Sequence, residues 1–168
     1  MDAIELVRQG FEHVHRALRE DMGEVQPEWL FWQPEPGLNH IGFLFWHLVR
    51  DEDVVVSHVT NERELWQTGA WHGRFGMDER AQGTGLAAGH LEHFRYDMAG
   101  FIEYAEEVWA RTPAALTTLT EADLDPPAWP GSDWSVGQQL VEGSLCHCWV
   151  HLGEIRYIMG LRGWRFRE

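Results

Sequence analysis

Apolar residues recurring at three- and four-residue intervals in four separated stretches constrain this chain more than any other feature. That spacing lines one face of an α-helix, whereas a half-buried strand needs a period of two. In the first stretch Ile4, Val7, Phe11, Val14, His15 and Leu18 keep the helical spacing, which predicts a helix from Ala3 to about Met22. The second, IGFLFWHLVRDEDVVVSHVTNERELW, predicts a helix from about His40 to Trp66 capped by Asn39. In the third, Leu91, Phe94, Met98, Phe101, Ile102, Ala105, Val108 and Trp109 predict a helix from about Ala88 to Arg111, ended by Thr112-Pro113. The fourth runs from about Ser135 to Met159 and stops at Gly160.

Between these stretches lie helix breakers. Pro27, Pro34, Pro36 and Gly37 mark a connection from Gly23 to Asn39, and Pro126, Pro127 and Pro130 allow only a turn or two of helix after the third stretch. Six glycines between Gly69 and Gly89 mark a longer irregular connection, of the kind that is functional or crosses between elements. No convincing strand pattern occurs. The expected class is therefore all-α: a four-helix bundle with a long crossover between the second and third helices.

A chain of 168 residues is the size of one domain, here residues 1–168, with enough length to bury a core unaided. Hydrophobic residues make up 44% and charged residues 24%, as in soluble globular proteins, and no apolar run reaches membrane-spanning length. The N-terminus is amphipathic rather than a secretion signal, so the expected location is cytoplasmic and no membrane partner is expected. Cys146 and Cys148 point about 200° apart on a helix, which disfavours a disulfide and suits a reducing compartment. The net charge of −14 repels phosphate backbones, and Arg162, Arg165 and Arg167 make only a short basic tail, so no nucleic-acid partner is expected.

Histidines carry the chemistry. His147 and His151 are four residues apart, so on a helix both imidazoles can reach one metal ion. His47 lies among Phe43, Leu44, Trp46 and Leu48 and is the best third donor, because a buried imidazole needs partners for both nitrogens. Three histidines and a water make an open, catalytic type of site. Ten histidines in this length also produce such a pair by chance, so spacing alone does not assign a metal. The His147–His151 stretch lacks the glutamate of an H-E-x-x-H protease helix. Asp51 and Glu154 follow His47 and His151 by one turn and are expected to orient them or to face solvent. His13 and His15 face differently, and His90 and His93 sit near an exposed helix start. The cysteines read as packing residues, as do Trp46, Trp109, Trp134 and Trp149.

The stretches NHIGFLFWHLVRDED, RFGMDERAQGTG, GSDWSVGQQLVEG and HCWVHLGEIRYIMGLRG together resemble the DinB-like superfamily, which includes maleylpyruvate isomerases and bacterial thiol S-transferases, over residues 1–162. The resemblance implies a four-helix bundle, a divalent metal, zinc or nickel, on His47, His147 and His151, and a homodimer. It also implies a metal-dependent enzyme acting on a small-molecule substrate, such as a low-molecular-weight-thiol S-transferase or isomerase. A lysine-free, arginine-rich composition points to a GC-rich genome and favours mycothiol as the thiol. A non-catalytic metal- or ligand-binding dimer and a scaffold with an empty triad stand as alternatives, since fold does not fix function.

Overall fold

In a computed structural model, residues 2–83 and 91–165 are described. Helix α1 (Ala3–Glu24) starts where Asp2 accepts a 2.8 Å hydrogen bond from Glu5 N, satisfying one orphan donor of the first turn. Val7, Phe11, Val14, Ala17 and Leu18 bury its apolar face. A single turn, α2 (Pro27–Leu30), begins on proline, whose fixed φ suits a first helical position.

Helix α3 (Ile41–Thr60) is the centre of the molecule, buried without interruption from Ile41 to Arg50. It is capped by His40, not Asn39: the His40 Nδ1 accepts a 2.9 Å bond from Phe43 N while Nε2 meets the Leu91 carbonyl at 3.2 Å. It ends at Thr60 rather than Trp66, because Asn61 turns left-handed at φ 54° and Glu62 N closes on the Ser57 carbonyl. Two short helices follow, α4 (Leu65–Thr68), where the second helix was expected to end, and α5 (Trp71–Phe75), inside what sequence marked as an irregular connection. The far end of the expected crossover, in residues 84–90 with His90 and the Ala88 start of the third helix, lies outside the described residues.

Helix α6 (Met98–Leu116) begins later than its periodicity indicates, with Asp97 accepting from Gly100 N at 2.8 Å. Leu91 has helical backbone but is cut off from α6 by the turn and coil of residues 92–97, where the Phe94 ring packs against His40, Phe43 and Trp46, so tertiary contact rather than helical repeat explains the apolar character of Phe94. Pro113 does not end the helix. Its missing N–H removes one bond only a turn from the C-terminus, and the chain stays helical to Leu116.

The last helical segment has three parts: α7 (Val136–Gln138), started by a Ser135–Gln138 capping box; a π-helical stretch, Gln139–Cys146; and α8 (His147–Leu161). It runs past Gly160, and the left-handed glycine beyond its end is Gly163, at φ 96°. Helices α1 and α3 each pack against α6 on one side and against the π-helical stretch and α8 on the other. The class is all-α, and no strand occurs among the described residues beyond an isolated bridge between Pro127 and Ser135. No helix among them is long and apolar enough to cross a membrane. Trp46 and Trp109 are core residues as expected, whereas Trp134 and Trp149 are exposed; Cys148 is buried and Cys146 is not. Residues 146 and 149, three apart in the last helical segment, are both exposed, with the Trp149 ring edge-on to His13 of α1, so their apolar character does not mark the core.

Candidate metal centre

Helices α3 and α8 pack together, and their contact brings the His47 ring edge-on against those of His147 and His151. Ring centroids lie 5.0 Å apart for His47 and His147, 5.3 Å for His47 and His151, and 4.5 Å for His147 and His151. One ring nitrogen from each can be chosen so that all three fall within 4.8 Å of one another. Imidazole nitrogens about 2.0–2.1 Å from a common ion are separated by distances somewhat shorter than this, so small rotations close the set around a divalent cation. The donor chemistry fits as well: three neutral nitrogens suit zinc or nickel.

Each imidazole is held from behind. His47 Nδ1 donates to the Gln82 carbonyl at 2.7 Å, and because a carbonyl only accepts, the N–H sits on Nδ1 and the lone pair on Nε2. His151 Nδ1 meets Glu154 Oε2 at 2.7 Å, one turn along α8. His147 Nδ1 faces Asp51 Oδ2 at 3.5 Å, an ion-pair distance at the outer edge of hydrogen bonding. Acceptors at all three Nδ1 positions would leave the three Nε2 atoms available to a metal ion. The Phe43 ring lies parallel to His47, 5.5 Å between centroids, and restrains its rotation.

Electrostatics favour ligation unequally. Burial pushes the His47 pKa below its ordinary value, opposed by the Gln82 hydrogen bond and reinforced by the neighbouring histidines, so this imidazole is held neutral. The Asp51 carboxylate raises the His147 pKa, against its partial burial. The π-helical stretch ends at Cys146, directly before His147; such widened turns recur near functional sites. A surface cavity of about 590 Å³, lined by Trp32, Leu38, Tyr157 and Leu161, also takes into its wall Glu154, the partner of His151 Nδ1.

The three histidines singled out in the sequence are thus brought together, and Asp51 and Glu154 lie against two of them. His15 is not: it is buried elsewhere, its Nε2 2.9 Å from both oxygens of Glu52 and its ring stacked on Trp109. His13 and His93 are exposed. Sequence reasoning missed the Gln82 carbonyl, which carries no side-chain signature; the only local signal was Gly83 beside it, one glycine among several.

Comparison with known proteins agrees with this architecture. The DinB superfamily profile matches residues 10–155. No curated protein matches the chain. Among solved structures, the crystal structure of a conserved protein from Enterococcus faecalis is similar at 18% identity, with a TM-score of 0.79 over 94% of this chain and 95% of that one, a likeness of fold. With the profile covering most of its length, the chain belongs to the DinB superfamily.

Proposed function

We propose that the protein binds a divalent metal ion, zinc or nickel, through His47, His147 and His151, and works as a metal-dependent enzyme on a low-molecular-weight thiol, of the S-transferase or isomerase type. The observation that carries the metal reading is the convergence of three imidazoles whose Nδ1 atoms all face acceptors: Gln82 O, Asp51 and Glu154. Three protein ligands leave an open coordination position, and the bound ion would supply Lewis acidity that lowers the pKa of a thiol or water held there.

The chain's own residues set the conditions for that chemistry. Buried His47 stays neutral, Phe43 keeps one side of the site apolar, and Asp51 and Glu154 stand ready to accept protons released from the imidazoles or from an incoming thiol. Mycothiol is the proposed thiol, on the family resemblance and the arginine-only basic composition. The free cysteines Cys146 and Cys148 fit a cytoplasmic setting. A homodimer is proposed with it, on the family resemblance.

The test is elemental analysis of purified protein beside His47→Ala, His147→Ala and His151→Ala, followed by assays of thiols with electrophilic acceptors. Near-stoichiometric metal in the wild type, lost in the variants, supports the centre; full retention in His47→Ala and His151→Ala sinks it. Stoichiometric metal with no thiol chemistry would move the protein to the non-catalytic metal-binding reading.

A further inference from the structure

We propose that Arg50 and Gly83 are positioning residues for His47, latching residues 81–83 onto α3 so that the Gln82 carbonyl fixes which imidazole nitrogen faces the other two histidines. This rests on the metal reading above. His47 and Arg50 stand one turn apart on α3 and hold consecutive carbonyls of the same segment: His47 Nδ1 donates to Gln82 O at 2.7 Å and Arg50 Nε to Ala81 O at 3.0 Å.

Arg50 is a stiff anchor. It is fully buried, and its guanidinium also donates to Asp53 Oδ2 at 3.1 Å, Tyr104 OH at 3.2 Å and Glu64 Oε2 at 2.8 Å, with its carbon 4.8 Å over the Trp66 ring. Asp53 in turn accepts from Leu65 N and Trp66 N, each at 2.9 Å. The fork therefore joins α3, α4 and α6 to the segment that caps His47. An arginine with five fixed donors suits this role; an ammonium does not reproduce it.

Gly83 permits the close approach. Its φ is +89°, a left-handed conformation, and a Cβ built there would stand 2.7 Å from His47 Nδ1 and 3.2 Å from Phe43 Cε2. Any side chain at 83 would push the segment off the imidazole and remove the Gln82 acceptor. The tautomer of a ligating histidine follows the hydrogen bond at its other nitrogen, so loss of that carbonyl would leave Nε2 free to carry the proton and block ligation.

The experiment reads tautomer and affinity separately. Side-chain 15N NMR of metal-free protein at mildly alkaline pH should show His47 in one tautomer, protonated at Nδ1, and Gly83→Ala should give a mixture. Zinc competition with a chromophoric chelator should show binding weakened about ten- to hundredfold in the same variant. Arg50→Lys should act in the same direction; if it fails to fold, Gly83→Ala decides alone. A purely structural role would lower the melting temperature of Gly83→Ala and leave the tautomer alone, which would overturn the proposal, as would a wild-type His47 protonated at Nε2. A wild type that binds no zinc yet shows the Nδ1 tautomer, lost in Gly83→Ala, would support the latch and defeat the metal reading instead.

Discussion

Asp51 Oδ2 lies 3.5 Å from Nδ1 of His147 and has no hydrogen-bond partner, although the atom itself is buried. A buried carboxylate oxygen without a donor is costly, and a protonated or metal-bound imidazole turned slightly toward it would satisfy it. Replacing Asp51 with Asn should therefore lower the His147 pKa, since the carboxylate is what raises it. NMR titration checks the direction, and zinc affinity in the same variant should fall about tenfold. An unchanged His147 titration would show that the pair does not interact.

The Arg50 network should dominate stability. Arg50 and Asp53 are both fully buried, and Tyr104 OH donates to Asp53 Oδ2 at 2.9 Å. Removing one member of a buried ion pair leaves the other uncompensated, at a cost of about 3–5 kcal/mol. Asp53→Ala should lose that much in denaturant unfolding, whereas Tyr104→Phe, which removes a single hydroxyl from a group with other partners, should lose about 1 kcal/mol.

Acid should weaken the cap of α3. His40 is fully buried, and burial lowers its pKa from 6.5 to about 4, so the folded state binds fewer protons than the unfolded chain between those values. The depressed pKa makes the neutral form the stabilising one: its contribution is complete above pH 6.5 and drains away as pH falls to about 4, reaching roughly 3 kcal/mol. His40→Asn retains a capping side chain without the titration, and its unfolding free energy should lack this part of the pH slope. Equal slopes in the two proteins would contradict it.

The two thiols should differ in reactivity. Cys148 is buried and burial raises its pKa well above the ordinary thiol value, while Cys146 is exposed. A disulfide reagent should titrate one thiol in the native protein and a second only after unfolding, and Cys146→Ser should abolish the fast phase. Fast reaction of both would mean that the α8 packing opens readily.

The helices were legible because their evidence is periodic, and the histidine set because an i, i+4 pair and a buried partner are sequence-visible. What sequence did not carry were contacts between distant backbone atoms. Leu91 and Phe94 continued the third helical repeat numerically, yet they pack as aromatic and apolar contacts of α3 before α6 begins. Asn39 looked like the better cap, but His40 has a ring nitrogen on each side, one for Phe43 N and one for Leu91 O, and only the tertiary partner reveals that advantage. The same holds at the site: Gln82 acts through its carbonyl, which every residue possesses.

The widened turns from Gln139 to Cys146 bear on how this molecule tolerates change. Each residue there advances the helix by less rotation than an α-helical one, so the stretch works as a phase adjuster between the core contacts of Val136 and Leu140 and the imidazoles of His147 and His151. A helical wheel drawn straight through it puts the two ends out of register. Forcing the same residues into ordinary α-helical winding would leave the composition unchanged from end to end. It would nevertheless over-rotate the histidines relative to the core anchor, by the difference between the two windings summed over the stretch. The spacing on which the triad depends is thus stored in the gauge of the helix as much as in the identity of its residues.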